Sequence, residues 1–507
     1  MKNNSAFSNL SVRRPHPKES SLMGLKEKAL KGFFWSGAQI WGGQAVSLVI
    51  FVILSRLLAP ETFGLVAMAS VFISLIQTLQ DQGFGDAIIQ RKDLQQEHLD
   101  TAFWTNLLTG CLSALVSFGC AEFIAGLFHQ PQLAPIVRWL SLIFILTGLS
   151  STQQAILRRR LAFKELAMRS IFAIISGGVV GLVLAFSGFG IWSLVAQSLV
   201  NGLVGVVILW SVSLWRPSFH FSKKHFRDLF SFGFNIIGIN FLNFLNRHTD
   251  HLLVGYFLGP TMLGYYTIAY KLLLVMTDLL SSVTNAVAFP TFSRLQNNPE
   301  RMRRAFYQVI HYTGLISFPA FIGVALVAPE LIFTIFGPQW TPSTPVMRVL
   351  AFIGILHSIL YFHGSVIIAF GKPSWRLGSS FLNAVANVFA FALAVRWGIV
   401  AVAAAYVIRG YLLFPVELWM VRKLAMVNIK TYFRQFIVPL AGSMAMAVVI
   451  FGLKLLWTDT LKLQLQLAIY VLTGCIIYSF AVQLIDPTIR LQLLKLFRIG
   501  VATESVD

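Results

Sequence analysis

Apolar stretches recur from Phe33 to Ile485 with only short polar connections between them, and many reach the ~20 residues needed to cross a bilayer as a helix. No other feature constrains the fold so strongly. In lipid every backbone amide needs a partner within the protein, so a chain with this pattern folds as a bundle of spanning helices. Composition agrees: 56% of the 507 residues are hydrophobic and 12% are charged, about half the charged share of a soluble domain. A single water-soluble domain, a disordered chain and a collagen-like chain are excluded. Cys111, Cys120 and Cys475 fall in apolar spans without a CxxC pair, so neither a disulfide framework nor a zinc site is indicated. The polar stretch up to Met23 lacks the apolar core and cleavage site of a signal peptide.

Fourteen spans are expected, at roughly 33–58, 62–80, 99–127, 132–157, 165–186, 190–214, 229–249, 263–289, 305–328, 342–370, 375–395, 398–420, 433–456 and 463–485. Gly and Pro mark many joins, among them Ala59-Pro60, Gly188-Phe189-Gly190, Gly259-Pro260, Gly337-Pro338 and Gly371-Lys372-Pro373. The net charge of +20 does not point to nucleic acid, because the basic residues form no stripe or RNA-binding motif and sit between apolar spans. With the N-terminus inside, alternate connections and their flanking turns hold 31 of the 40 Lys and Arg residues, including Arg158-Arg159-Arg160, Lys223-Lys224 and Arg301. That asymmetry is the positive-inside pattern and predicts a multi-pass protein with both termini cytoplasmic.

The chain also matches itself. Leu58-Ala59-Pro60-Glu61-Thr62-Phe63-Gly64 aligns with Leu258-Gly259-Pro260-Thr261-Met262-Leu263-Gly264, and Pro135 through Leu140 with Pro345 through Leu350. Gly190-Ile191 and Leu209-Trp210 find Gly398-Ile399 and Leu418-Trp419 in the same order. Six spans are therefore repeated and two are added. An even number of spans per repeat gives both copies one orientation, with a substrate path at their interface. The expected organisation is a basic cytoplasmic segment 1–32, an N-lobe 33–214, a linker 215–228, a C-lobe 229–424, two further spans over 425–485 and a cytoplasmic tail 486–507.

Several spans carry polar residues at helical spacing, although charges at mid-bilayer are costly. Asn240, Asn243, Arg247 and Asp250 share one face of span 7; Lys271, Asp278, Ser282 and Asn285 share a face of span 8; Arg376, Ser380, Asn383 and Asn387 mark span 11. In the first half Ser36, Gln39, Gly43 and Ser47 mark span 1, and Ser70, Ser74, Gln77 and Asp81 line span 2. Such stripes are either hydrogen-bonding glue between helices or walls of a wet cavity between two six-helix lobes. Full charges favour the cavity for Arg247, Lys271, Asp278 and Arg409, with an Arg247–Asp250 ion pair as the alternative. Arg138 and Arg348, near outer ends, are expected to snorkel to headgroups. Basic groups in a cavity suit an anion: arginine offers a fork matched to phosphate and lysine a point charge. A pyrophosphate head on a long apolar tail would place its charge in the cavity and its tail in lipid. Arg247, Lys271, Arg409, Asn240, Asn243, Asn383 and Asn387 are the candidate ligands for pyrophosphate or sugar, with Asp278 and Asp250 as candidates for charge balance or ion coupling.

Histidines 248, 251, 311, 357 and 363 show no HExxH or other metal spacing, and His248 and His251 are expected to hydrogen-bond at an outer helix end, with titration in a proton-coupled cycle as the alternative. Gly371-Lys372 is followed by Pro373, and Val366 stands at the first glycine position, so there is no phosphate-binding loop of an ATP pump. Gly83-Phe84-Gly85 lacks the third glycine of a dinucleotide site. No loop is long enough for a catalytic domain.

Leu54-Ser55-Arg56-Leu57-Leu58-Ala59-Pro60 through Phe63-Gly64, then Asp81-Gln82-Gly83-Phe84-Gly85 and Ala87-Ile88-Ile89-Gln90-Arg91, resemble the first-repeat signature of bacterial polysaccharide flippases. Asn246-Arg247 through Asp250, Gly255, Leu258-Gly259, Gly264-Tyr265-Tyr266 and Ala269-Tyr270 resemble the second. The chain is similar, over about residues 25–424, to Wzx-type transporters of the multidrug/oligosaccharidyl-lipid/polysaccharide exporter superfamily, particularly the colanic-acid-type branch. The resemblance implies a two-lobed, V-shaped, non-enzymatic transporter of the bacterial inner membrane. It would move undecaprenyl-pyrophosphate-linked oligosaccharide outward by alternating access for exopolysaccharide or lipopolysaccharide synthesis. It further implies no cofactor, a proton or sodium gradient as driving force, membrane lipids as surroundings, and a polysaccharide polymerase and export machinery as partners. The rival readings are a drug/cation antiporter of the same superfamily, which would want an acidic cavity, a membrane glycosyltransferase or polymerase, which would need a sizeable outer loop, and a non-transporting scaffold, which would leave the buried charges unexplained.

Overall fold

Spanning helices begin and end where the sequence offers a stop. The computed structural model describes residues 41–81, 83–91, 93–295, 298–456 and 462–487. The expected segment 1–32, nearly all of the tail 486–507, and Ser36, Gln39 and the side chains of Ser282 and Asn285 lie outside the described residues. Of span 1 the described part is Trp41–Leu57; span 2 is Pro60–Gln80, span 3 Gln96–Leu127, span 4 Leu133–Arg159, span 5 Phe163–Phe186 and span 6 Ile191–Val212. Spans 7 and 8 belong to one helical run, Lys223–Leu295, broken at Gly259 into 223–258 and 260–295. Span 9 is Pro299–Ile335, span 10 Ser343–Ala369, span 11 Pro373–Ala394, span 12 Ile399–Ala425, span 13 Ile437–Leu456 and span 14 Leu463–Ile485. The protein is thus an all-helical, multi-pass membrane protein of about fourteen spans, six in each lobe and two beyond.

The long run over spans 7 and 8 differs from the expected boundaries. The linker is extended over 213–222 and already helical from Lys223, because no proline lies between Pro217 and Pro260 to stop the helix. Only Gly259, at φ +83°, interrupts it, a conformation that favours glycine. Pro260 then opens the next helix, as Pro60 opens span 2, at a position where a missing amide hydrogen costs nothing. Within the lobes, small residues let backbones meet: a Cβ on Gly148 would stand 2.6 Å from Asn106 O, and one on Gly177 2.6 Å from Gln197 O.

The duplicated Pro-x-x-x-Gly motifs meet each other. A Cβ on Gly64 would lie 1.7 Å from the carbonyl oxygen of Pro260, and a Cβ on Gly264 would lie 2.0 Å from that of Pro60. Each copy thus packs its glycine on the other copy's proline, the self-complementary contact of two similar bodies across a pseudo-two-fold axis. The sequence repeat is also the axis of the molecule.

Around this axis the lobes are closed. Trp340 is fully buried and donates its Nε1 hydrogen to Ser55 O at 2.8 Å, while Gln339 Nε2 donates to the same oxygen at 2.6 Å. Arg56 donates to the carbonyls of Ile335 (2.8 Å) and Thr334. Ring pairs Phe63–Trp340 (5.4 Å), Phe51–Phe336 (6.2 Å) and Phe128–Tyr256 (6.0 Å) seal the rest. All of these residues flank the joins after spans 1, 3, 7 and 9. The basic joins, after spans 2, 4, 6 and 8, are at the opposite end of the bundle.

Spans 13 and 14 dock on span 9. Lys454 pairs with Glu330 at 2.7 Å, Tyr478 donates to Leu315 O at 2.6 Å, and Phe318 stacks at 5.6 Å on Phe436, the residue just before span 13.

Candidate functional site

Spans 7 and 8 descend from the closed vertex with polar side chains on their accessible faces. Arg247 stands eight residues before Gly255, whose Cα face meets Met68 of span 2, so it lies about 12 Å along the helix from that contact at 1.5 Å per residue. Lys271 is seven residues beyond Gly264, about 10 Å from the axis contact by the same rise. The two cations therefore sit at a common depth on neighbouring helices. Arg247, Asn243 and Asp278 are exposed, and Asn240 and Lys271 half-buried. Both cations act electrostatically on Asp278, yet among the described residues no hydrogen bond or ion pair engages Arg247, Lys271 or Asp278. On span 2, Ser70 and Asp81 are exposed, and Ser74 and Gln77 half-buried.

The remaining candidates are engaged within the C-lobe. Arg409 of span 12 donates through Nη1 to Asn383 Oδ1 of span 11 and lies over the Tyr406 ring at 5.0 Å from its centroid. Its Nε is buried without a partner among the described residues. Asn387 is buried and donates to Asn246 Oδ1 at 3.2 Å, while Asn246 donates to Ser380 O at 3.0 Å and Oγ at 3.2 Å. Arg376 faces Glu417 of span 12 at 3.7 Å, and Ser379 donates to the same carboxylate. The span 11 stripe thus joins spans 7, 11 and 12 through hydrogen bonds.

Asp250 is buried too. One oxygen accepts the His251 backbone amide (2.8 Å) and faces His251 Nδ1 at 3.0 Å; the other accepts the Tyr266 hydroxyl at 2.9 Å. The alternative Arg247–Asp250 ion pair is not formed, because both oxygens are turned to span 8 and to the neighbouring histidine. Tyr266 stacks on Tyr270 at 5.9 Å, and Tyr270 approaches Tyr406 at 6.4 Å, so an aromatic chain runs from Asp250 to Arg409. Arg138 pairs with Glu122 at 2.8 Å. His311 contacts Gln435 O at 3.0 Å and His363 the Tyr432 hydroxyl at 2.9 Å.

The sequence candidates therefore divide. Asn240, Asn243, Arg247, Lys271 and Asp278 form an open group; Arg409 with Asn383 forms a tethered unit behind it; Asp250 and Asn387 are held in the packed interior. Sequence reasoning missed Asn246, Tyr266, Tyr270, Tyr406 and Glu417. Asn246, Tyr266 and Tyr270 stand in the second-repeat signature quoted above without having been chosen as site residues, and Tyr266 and Tyr270 also repeat at i, i+4; Tyr406 and Glu417 carried no such signal. An unpaired guanidinium and an unpaired ammonium at one depth can clasp an anion with several oxygens, such as a phosphate chain.

The model of the polysaccharide biosynthesis protein family matches residues 53–345, more than half of the chain. The chain belongs to that family. Its relatives include the teichuronic acid biosynthesis protein TuaB of Bacillus subtilis (strain 168), 27% identical over 94% of this chain and 99% of the relative. The lipopolysaccharide biosynthesis protein WzxC of Escherichia coli (strain K12) is 28% identical over 82% of this chain and 85% of its own. Among solved structures, the lipid II flippase MurJ in an inward closed conformation superposes with a TM-score of 0.75 at 14% identity, covering 90% of this chain and 99% of that one. At that identity the likeness establishes the shared fold, two lobes of six spans with two spans added, for this polysaccharide biosynthesis protein.

Proposed function

We propose that this polysaccharide biosynthesis protein is a flippase that carries undecaprenyl-pyrophosphate-linked oligosaccharide across the bacterial inner membrane by alternating access of its lobes. The observation that carries the reading is the pair of unpaired cations, Arg247 and Lys271, at one depth beneath a closed vertex. The pyrophosphate would lie between them, Arg409 would reach it by exchanging its bond to Asn383, and Asn240 and Asn243 would meet the first sugars. Asp278 would balance Lys271 or carry a coupling proton or sodium ion. The names of TuaB and WzxC support the polymer class. The basic joins support a cytoplasmic placement of the open end and of both termini, with lobes at 33–214 and 229–424 and a polymerase and export machinery as later partners of the product.

The structure described here is then the state closed to the outside. Opening would part the Pro60–Gly64 and Pro260–Gly264 contacts while the basic ends approach. Reconstituted liposomes with a fluorescent undecaprenyl-pyrophosphate oligosaccharide test the proposal. Arg247→Ala and Lys271→Ala should each abolish translocation at unchanged protein levels. Full translocation by both variants would overturn the site, and uptake of cationic drugs without glycolipid transport would overturn the function.

A further inference from the structure

The seam at the basic end of spans 4, 5 and 6 holds a second unneutralised arginine. Arg169 lies six residues into span 5 and packs its guanidinium against Gly205 of span 6, where a Cβ would come within 2.8 Å of Nη2. At 1.5 Å per residue it sits about 9 Å inside the start of the helix. Among the described residues its Nε is buried with no hydrogen-bond partner. The neighbouring charge that acts on it is Arg158, of like sign, in the last turn of span 4. The matching seam of the C-lobe neutralises itself, since Arg376 there faces Glu417; the offset that pairs Leu209-Trp210 with Leu418-Trp419 places Ile208 opposite Glu417. Met168, Phe172, Leu203 and Val207, beside the seam on spans 5 and 6, are exposed apolar side chains of the kind that meets lipid.

A half-buried cation whose Nε is sealed without a partner and whose neighbouring charge is of like sign favours an external anion, and the surroundings supply one class, a phosphate on a lipid. We propose that the seam between spans 4, 5 and 6 binds the phosphate of an anionic lipid reaching it sideways from the bilayer, with Arg169 as the fork and Arg158 as the second cation. Gly205 leaves the space in which the guanidinium lies. The phosphate can come from a phospholipid head or, resting on the flippase reading, from the carrier before it enters the cleft.

The full-length protein in detergent, loaded with phosphatidylglycerol, phosphatidylcholine or undecaprenyl pyrophosphate and read by native mass spectrometry, separates these sources. Arg169→Gln should weaken retention of the anionic lipid about tenfold or more, the scale of a lost charge-assisted fork, and leave phosphatidylcholine unchanged. Gly205→Ala, which displaces the guanidinium without removing its charge, should weaken it in the same direction. Loss of phosphatidylglycerol alone assigns the site to phospholipid, loss of undecaprenyl pyrophosphate alone assigns it to the carrier, and loss of both marks a shared phosphate site. Should Arg169→Gln fail to fold, Arg158→Gln, at an exposed position, carries the same comparison. Wild-type retention of both anionic lipids by the folded variants would overturn the site, and because retention requires no transport, that result is independent of the flippase reading.

Discussion

Substituting Gly64 by alanine places a methyl group where the Pro260 carbonyl now stands, 1.7 Å from its oxygen and 2.4 Å from its carbon. Carbon and carbonyl oxygen approach to about 3.3 Å at closest, so spans 2 and 8 must part by about 1.5 Å at this point. The neighbouring atoms are backbone and cannot swing aside. Overpacking of this kind costs about 1–3 kcal/mol, and the cost falls on the closed vertex alone, since the contact is absent once the helices separate. In the orientation proposed above, the equilibrium between outward-closed and outward-open forms then shifts about 5- to 150-fold towards open. A Ser74→Cys probe on the polar wall of span 2, in a background with Cys111, Cys120 and Cys475 replaced, reports this as faster labelling by an impermeant maleimide from the outer side. Gly264→Ala should act alike and Gly119→Ala, with open space around its Cβ, should not. Unchanged labelling in Gly64→Ala and Gly264→Ala would refute the axis contact as the outer closure.

Arg56→Ala removes the donations to Ile335 and Thr334 and should raise Ser74→Cys labelling severalfold, less than Gly64→Ala because no clash is introduced. Asp250→Ala leaves the buried Tyr266 hydroxyl and the His251 Nδ1 without their partner, so thermal stability in detergent should fall by the equivalent of about 1–3 kcal/mol; Asn243→Ala, at an exposed position, should leave stability unchanged and lower transport. Lys454→Ala leaves Glu330 without its partner and should be destabilising by about 3–5 kcal/mol, with partial rescue by adding Glu330→Ala, read as melting temperature. Asn387→Ala should likewise lower stability through its bond to Asn246 before it lowers transport.

Hydrophobic runs of bilayer length, basic joins at alternate ends and a motif repeated about 200 residues apart determine the number of spans and the two similarly oriented repeats. These are one-dimensional properties: lipid solvation and translocation act on each segment separately, so they are written in each segment. Which polar face looks where is not. The stripes of spans 7 and 11 read alike as periodicities, yet Asn387, Asn383 and Arg376 are engaged by Asn246, Arg409 and Glu417, whereas Arg247 and Lys271 are left open. The difference depends on partners that lie 26 to 141 residues away along the chain, and no local pattern encodes them. The same holds for Gly64 and Gly264, legible in the sequence as a repeat but not as each other's contact. Segment-by-segment transfer energies dictated which residues enter the membrane, and the packing of the helices decided which of their charges are left without a partner among the described residues.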